Sequence, residues 1–127
     1  MTITLGQDQL TIADVVAVAR SNAAIELGPQ ARARLGAARD MIERWSRENR
    51  PVYGVTRGLG SRVTLDVSAA ERASYSAAVV RGRAAGGGGY FDSTTVRAAL
   101  FARAAGLAQG GAGVRPIVID TQLAMLA

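Results

Sequence analysis

The residues able to do chemistry are few, and the most suggestive lie in one loop. Pro51–Val52–Tyr53–Gly54–Val55–Thr56–Arg57–Gly58–Leu59–Gly60 sets a tyrosine ahead of glycines one, five and seven residues downstream. Glycine at such places permits positive φ and close approach of backbone to a ligand. An ordinary phenol titrates at about 10. To act as a base, Tyr53 needs a nearby positive charge or backbone N–H groups aimed at its oxygen. Arg57 and the glycine amides are the local candidates. On spacing alone, Tyr53 reads first as a packed loop aromatic and second as a catalyst.

Composition removes most other chemistries. The chain has 127 residues with no Cys and no His, and its 15 basic residues are all Arg. There is thus no disulfide framework, thiol nucleophile or zinc-ribbon site, and no imidazole base or ligand. Without Lys, Schiff-base chemistry and the phosphate-loop lysine are also excluded. Acid–base work falls to Tyr, carboxylates or groups on another chain, and no metal site is expected. The four glycines Gly86–Gly89 lack a following Lys-Ser/Thr, and Gly58–Leu59–Gly60 lacks the third glycine of a dinucleotide fingerprint.

The net charge of +5 raises the question of a nucleic-acid partner. The Arg residues are scattered and alternate with acids, as in Arg44–Trp45–Ser46–Arg47–Glu48–Asn49–Arg50, and only six residues are aromatic. Stacking platforms for bases are therefore scarce, and the charge reads as a solvated Arg-rich surface rather than a nucleic-acid site. Met1–Thr2–Ile3–Thr4–Leu5–Gly6 has no signal-peptide character. No apolar run reaches the ~18 residues of a membrane span. A soluble, cytoplasmic chain with no membrane partner is expected.

Positioning falls mainly to helices. Thr2 to Leu5 alternates as a short strand would. Thr11 precedes a helix with Asp14 in its first turn and Ile12, Val15, Val16 and Ala19 at helical spacing, ending at Ser21–Asn22. A second helix opens near Pro29 and runs to about Glu48, with Leu35, Ala38, Ile42 and Trp45 on one stripe. Residues 51–67 read as loop. A third helix is predicted from Ser68 to Arg83, with Ser68 and Glu71 as a capping box. A fourth runs from Thr94 to Ala108, capped by Ser93, with Val96, Leu100 and Leu107 on one face. A fifth opens at Pro116 and is still running at Leu126. The expected fold is mainly α, about five helices and at most one short N-terminal strand. With 25 Ala and 15 Gly, the core is thin. An apolar last helix without a C-cap signal adds to the expectation that residues 1–127 form a single segment completed by another chain or by a C-terminal portion.

Three blocks, in order and spacing, carry a resemblance. The Tyr53 loop is similar to the Tyr-Gly-(Ile/Val)-(Asn/Thr)-Thr-Gly-Phe-Gly loop of the histidine and aromatic amino acid ammonia-lyase family. Arg81–Gly82–Arg83–Ala84–Ala85–Gly86–Gly87–Gly88 resembles its Leu/Arg-Ser-His-Ala-x-Gly-x-Gly. Val96–Arg97–Ala98–Ala99–Leu100 with Leu107–Ala108–Gln109–Gly110–Gly111–Ala112–Gly113–Val114–Arg115 resembles its Val-Arg-Ala…Leu-Ala-x-Gly-x-Ser-Gly-Val segment. Nearly the whole chain is covered. The resemblance implies a helical, oligomeric lyase or aminomutase acting on an amino acid. Its methylideneimidazolone, made from an internal Ala-Ser-Gly, is the electrophile, and its loop tyrosine removes the β-proton. Tyr53 would hold the place of that base and Gly60 that of a glycine near the substrate. Arg83 stands where the family has a substrate-side His.

The departures are specific. No Ala-Ser-Gly occurs, so the prosthetic group is expected only from a partner chain or a C-terminal portion. Arg57 replaces the loop Thr and Leu59 the Phe, Ser76–Ala77–Ala78 replaces Gln-x-Asn, and Ala112 replaces Ser. Polar positions change while helix-forming and glycine positions persist. Three readings stay open: a split-lyase subunit, inactive alone, assembling in a hetero- or homo-oligomer with an Ala-Ser-Gly-containing chain; a catalytically silent binding or scaffolding remnant; and a truncated product. Substrate, partner, and the choice between elimination and amine migration are not readable from the sequence.

Overall fold

A computed structural model describes residues 2–7 and 9–127. The element order is β1 (Thr2–Leu5), α1 (Ile12–Ser21), β2 (Ala24–Leu27), α2 (Pro29–Arg47), a single 3₁₀ turn (Gly60–Arg62), α3 (Arg72–Arg83), α4 (Ser93–Ala108) and α5 (Pro116–Leu126). The mainly α, five-helix expectation holds. The expected lone strand has a partner: β1 and β2 pair in parallel, Ile3 opposite Ile25 and Leu5 opposite Leu27. Four residues are too few for β2 to announce itself by alternation, and Ala and Glu are weak strand formers. The pairing becomes visible only once α1 has carried the chain back as a β-α-β crossover.

Local chemistry explains the helix ends. Thr11 and Asp14 form a full capping box, Thr11 N–H donating to Asp14 Oδ2 at 2.8 Å and Asp14 N–H to Thr11 Oγ1 at 3.2 Å. Asn22, left-handed at φ 48°, closes α1. Pro29 occupies a first-turn position of α2. Two starts differ from expectation. Asp92, not Ser93, caps α4, accepting from Thr95 N–H at 2.9 Å. The α3 start moves from Ser68 to Arg72. The Glu71 carboxylate reaches back to Ser68 N–H, but the Ser68 hydroxyl donates to that carboxylate instead of accepting from the backbone, so only half of the box forms and residues 69–71 remain a turn.

The described residues fall into two compact units, one made by the segments up to Asp40 and from Tyr90 to Ala127, the other by Met41–Gly89. The first holds the apolar core, where Ile3, Leu5, Val18, Leu35, Phe101, Leu107, Ile119 and Leu126 are buried together with Ala31, Ala104 and Ala108. Here α1 packs on α4, α4 on α5, and α5 on β2. Arg97 ties them at the backbone, donating to Val18 O (3.2 Å) and Leu126 O (2.7 Å). The inward faces match the expected ones only in part. Ala19 and Leu107 are buried and Val15 and Leu100 pack against the core, but Ile12 is 84 % exposed, Val16 and Val96 also stay out, and Val18, Phe101 and Ala104 go in. An Ala-rich helix is apolar on several faces, so its largest side chain selects the buried one. Among the described residues no helix is long and apolar enough to cross a membrane.

The caps link stability to pH. The Asp14, Glu71 and Asp92 carboxyls titrate below their usual range, because hydrogen bonds from Thr11, Ser68 and Thr95 respectively favour the ionised form. A lowered folded-state pKa means the stabilisation is complete above the ordinary carboxylate range and is lost as pH falls through the folded value. Asp92→Asn is expected to keep the α4 cap yet flatten the acid side of the melting profile, whereas Asp92→Ala lowers Tm by a few degrees at neutral pH. Melting curves by circular dichroism between neutral and acid pH check both.

Candidate active site

The unit Met41–Gly89 carries Tyr53, Gly60 and Arg83. It starts with the last turns of α2, which close in a Schellman arrangement: Asn49 is left-handed at φ 52°, its N–H donates to Ser46 O at 3.3 Å, and Arg50 N–H donates to Trp45 O at 3.0 Å. The Arg50 guanidinium covers the Trp45 ring, 5.5 Å from its centroid. Pro51 then turns the chain into the tyrosine loop.

That loop is built on one hydroxyl. Thr56 is only 3 % exposed. Its Oγ1 accepts from Val52 N–H at 2.8 Å and donates to the Arg50 carbonyl in a short contact. The amides of Val55, Thr56 and Arg57 all donate to Val52 O, and Gly54 N–H donates to Arg57 O. Tyr53 is thus pinned from both sides by a tight turn, while the residue remains 59 % exposed.

Tyr53 Oη accepts a hydrogen bond from Gly60 N–H at 3.0 Å. A donor aimed at a phenol oxygen supports negative charge there. Of the two local aids anticipated for Tyr53, a glycine amide is the one in contact. Arg57 is engaged elsewhere, donating to Thr64 O at 3.0 Å and pairing with Asp66 at 3.1 Å. Gly60 itself sits at φ +58° with open space where a Cβ would project. Gly58 is different: a Cβ there would lie 2.4 Å from the Arg62 carbonyl oxygen.

The structure brings Tyr53 and Gly60 together. Arg83 does not join them by any hydrogen bond. It lies exposed in the last turn of α3. Two residues escape a reading by spacing: Thr56 in this loop, and Arg72, whose guanidinium donates to Ser46 O at 2.7 Å and Val67 O at 3.2 Å in the same unit. Thr56 appears in the sequence as an unremarkable loop hydroxyl, and Arg72 as one of many scattered arginines. Only for Thr56, where the family loop allows Asn or Thr, was there a signal.

The chain contains no Ala-Ser-Gly, so its residues do not supply the tripeptide from which a methylideneimidazolone is made. Among the described residues no group of three or more His, Cys, Asp or Glu could hold a metal.

Comparison with known proteins shows the family and the fold. The family model for aromatic amino acid lyases matches residues 10–127. Histidine ammonia-lyase of Streptomyces avermitilis is 38 % identical over 125 residues, covering 98 % of this chain and 24 % of the relative. The crystal structure of tyrosine aminomutase from Streptomyces globisporus superposes with a TM-score of 0.93 at 28 % identity, over 99 % of this chain and 24 % of that one. Ergothionase from Treponema denticola, described as an ergothioneine degrading enzyme, gives a TM-score of 0.93 at 25 % identity and likewise covers a quarter of that chain. The chain spans about a quarter of the length of the relatives it matches. On sequence and fold together, it belongs to the aromatic amino acid lyase family.

Proposed function

We propose that this chain acts as the N-terminal part of a carbon–nitrogen lyase of the ammonia-lyase or aminomutase type, inactive alone, and brings Tyr53 as general base to a composite active site. The observation that carries this reading is the Tyr53 Oη contact with Gly60 N–H on an exposed, tightly tied loop. Tyr53 Oη receives the β-proton of an amino acid substrate. Gly60 lines the approach to that substrate, and its amide steadies the oxygen. The β-proton is weakly acidic, and ammonia leaves only when a covalent electrophile holds the amine. The family's methylideneimidazolone supplies that chemistry. In this reading it comes from an Ala-Ser-Gly-containing partner chain or a C-terminal portion, in a hetero- or homo-oligomer.

A further feature favours assembly. Within Met41–Gly89 the only buried hydrophobic residue is Val67, while Val63, Leu65 and Val80, like Tyr53, are exposed. Such apolar side chains suit a covering surface. Arg83, where relatives of the resembling pattern carry His, would favour a carboxylate or another oxygen acceptor on the substrate through bidentate donation.

A second reading is a catalytically silent binding or scaffolding protein. The altered positions Arg57, Leu59, Arg83, Ser76–Ala77–Ala78 and Ala112, most of them polar in the family pattern, favour it. Mixing separates the two. The chain is purified with and without the product of any neighbouring gene that encodes an Ala-Ser-Gly-containing helical protein, and ammonia release is assayed over a panel of α-amino acids that includes acidic ones. Release in the mixture only is the expected result. A stable complex that releases no ammonia from any of them sinks the catalytic reading and leaves the scaffold.

A further inference from the structure

The unit Met41–Gly89 has almost no apolar core, since Val67 and Thr56 are its only buried side chains. Something polar must hold it. Arg72 is the first residue of α3, a place where the helix dipole disfavours a cation. Its guanidinium spends itself on four acceptors in two other segments. Nη1 donates to Ser46 O at 2.7 Å and to Ser46 Oγ at 3.1 Å, Nη2 donates to Asn49 Oδ1 at 2.5 Å, and Nε donates to Val67 O at 3.2 Å. Ser46 and Asn49 belong to the Schellman turn at the C-terminus of α2, where unpaired carbonyls and the dipole attract a cation.

The two segments are the two ends of the tyrosine loop. From the α2 turn the chain passes Arg50 and Pro51 to Tyr53. On the other side, Val67 N–H donates to Thr56 O at 2.9 Å, and the Thr56 hydroxyl returns to the Arg50 carbonyl. The hydrogen bonds close a ring: α2 turn, Arg72, Val67, Thr56, Arg50. Tyr53 lies on the arc between Arg50 and Thr56.

We propose that Arg72 is a positioning residue for Tyr53, a strut that fixes where the phenol oxygen sits by fastening both ends of its loop to the end of α2. Its importance to catalysis rests on the reading of Tyr53 as base. Its mechanical role does not. A lysine would not replace it, because its three donors sit on one nitrogen and cannot span the separated Ser46, Asn49 and Val67 acceptors that the planar fork reaches.

The test is amide hydrogen exchange by NMR on the full chain, read at Gly60, whose acceptor is Tyr53 Oη, and at Val67. Local opening changes exchange at the amides it frees and leaves independent units alone. Arg72→Met retains the apolar stem and should speed exchange at Gly60 and Val67 by at least about tenfold, with Ala104 and Leu107 of α4 unchanged. Arg72→Lys should recover little of that. Asn49→Gly keeps the left-handed turn and deletes one acceptor, so it should shift Gly60 in the same direction by a smaller factor, and it decides the matter alone if Arg72→Met does not fold. Unaltered Gly60 exchange, full recovery with lysine, or equal acceleration in α4 would each overturn the strut. In an active mixture, Arg72→Met should lower kcat with little change in KM. If Gly60 exchange responds as expected while Tyr53→Phe leaves ammonia release intact, the strut stands and the base assignment falls.

Discussion

Tyr53→Phe is expected to cut ammonia release by the reconstituted mixture roughly 10²–10⁴-fold, the usual contribution of a well-placed general base, while the affinity of the two chains for each other stays the same. The structure makes this a clean substitution. The phenol oxygen accepts a hydrogen bond from the Gly60 amide, and the residue is 59 % exposed. Phenylalanine retains the ring and forfeits one solvent-accessible hydrogen bond, a loss of about 0.5–1.5 kcal/mol at most. A fall in rate with unchanged assembly therefore reports proton transfer. Equal turnover by Tyr53→Phe and wild type would remove Tyr53 from the chemistry. A parallel loss of activity and affinity would make it an interface residue. Measuring kcat and the dissociation constant on the same preparations distinguishes these outcomes.

The sequence made the helices legible because their punctuation is local. Thr11 with Asp14, Pro29 and Pro116 each announce a start through a bond or a missing donor confined to one turn. Failures came where the deciding partner is distant. Strand β2 exists because β1 lies beside it, twenty-two residues earlier in register. The buried face of α4 is chosen by Phe101 against α1 and α5, not by the period of an Ala-rich stretch. The site divides the same way. Tyr53 and Gly60 were visible as a spaced pair, and their contact follows from a tight turn. Arg72 was invisible, because nothing in Ser68–Ala69–Ala70–Glu71–Arg72 reveals that its guanidinium reaches back to Ser46. Arg57 illustrates the opposite error: adjacency in sequence offered it to Tyr53, whereas Thr64 and Asp66 hold it.

Gly58→Ala should damage the loop more than Gly60→Ala, although the two glycines are two residues apart and Gly60 is the one at positive φ. At Gly60 an added methyl meets nothing, so alanine incurs only the left-handed backbone, about 1–2 kcal/mol. At Gly58 the methyl would fall 2.4 Å from the carbonyl oxygen of Arg62 and 2.8 Å from its Cβ. A flexible side chain could swing away, but a carbonyl in the 3₁₀ turn cannot move alone. Arg62 O accepts from Leu65 N–H at 2.9 Å, and Leu65 O in turn accepts from Gly58 N–H at 3.0 Å, so displacing Arg62 strains both bonds and the turn that presents the Gly60 amide to Tyr53. Overpacking costs roughly 1–3 kcal/mol where neighbours can relax, and with backbone as the neighbour the loss belongs at the upper end. Exchange at the Gly58 and Gly60 amides should accelerate together in Gly58→Ala, and activity of the mixture should fall with them. If Gly60→Ala were the more damaging to loop protection, the left-handed turn and not the Arg62 contact would govern the loop. If Gly58→Ala left the Gly60 amide protected but abolished turnover, the role of Gly58 would lie in contact with the substrate or the partner chain instead of in holding Tyr53.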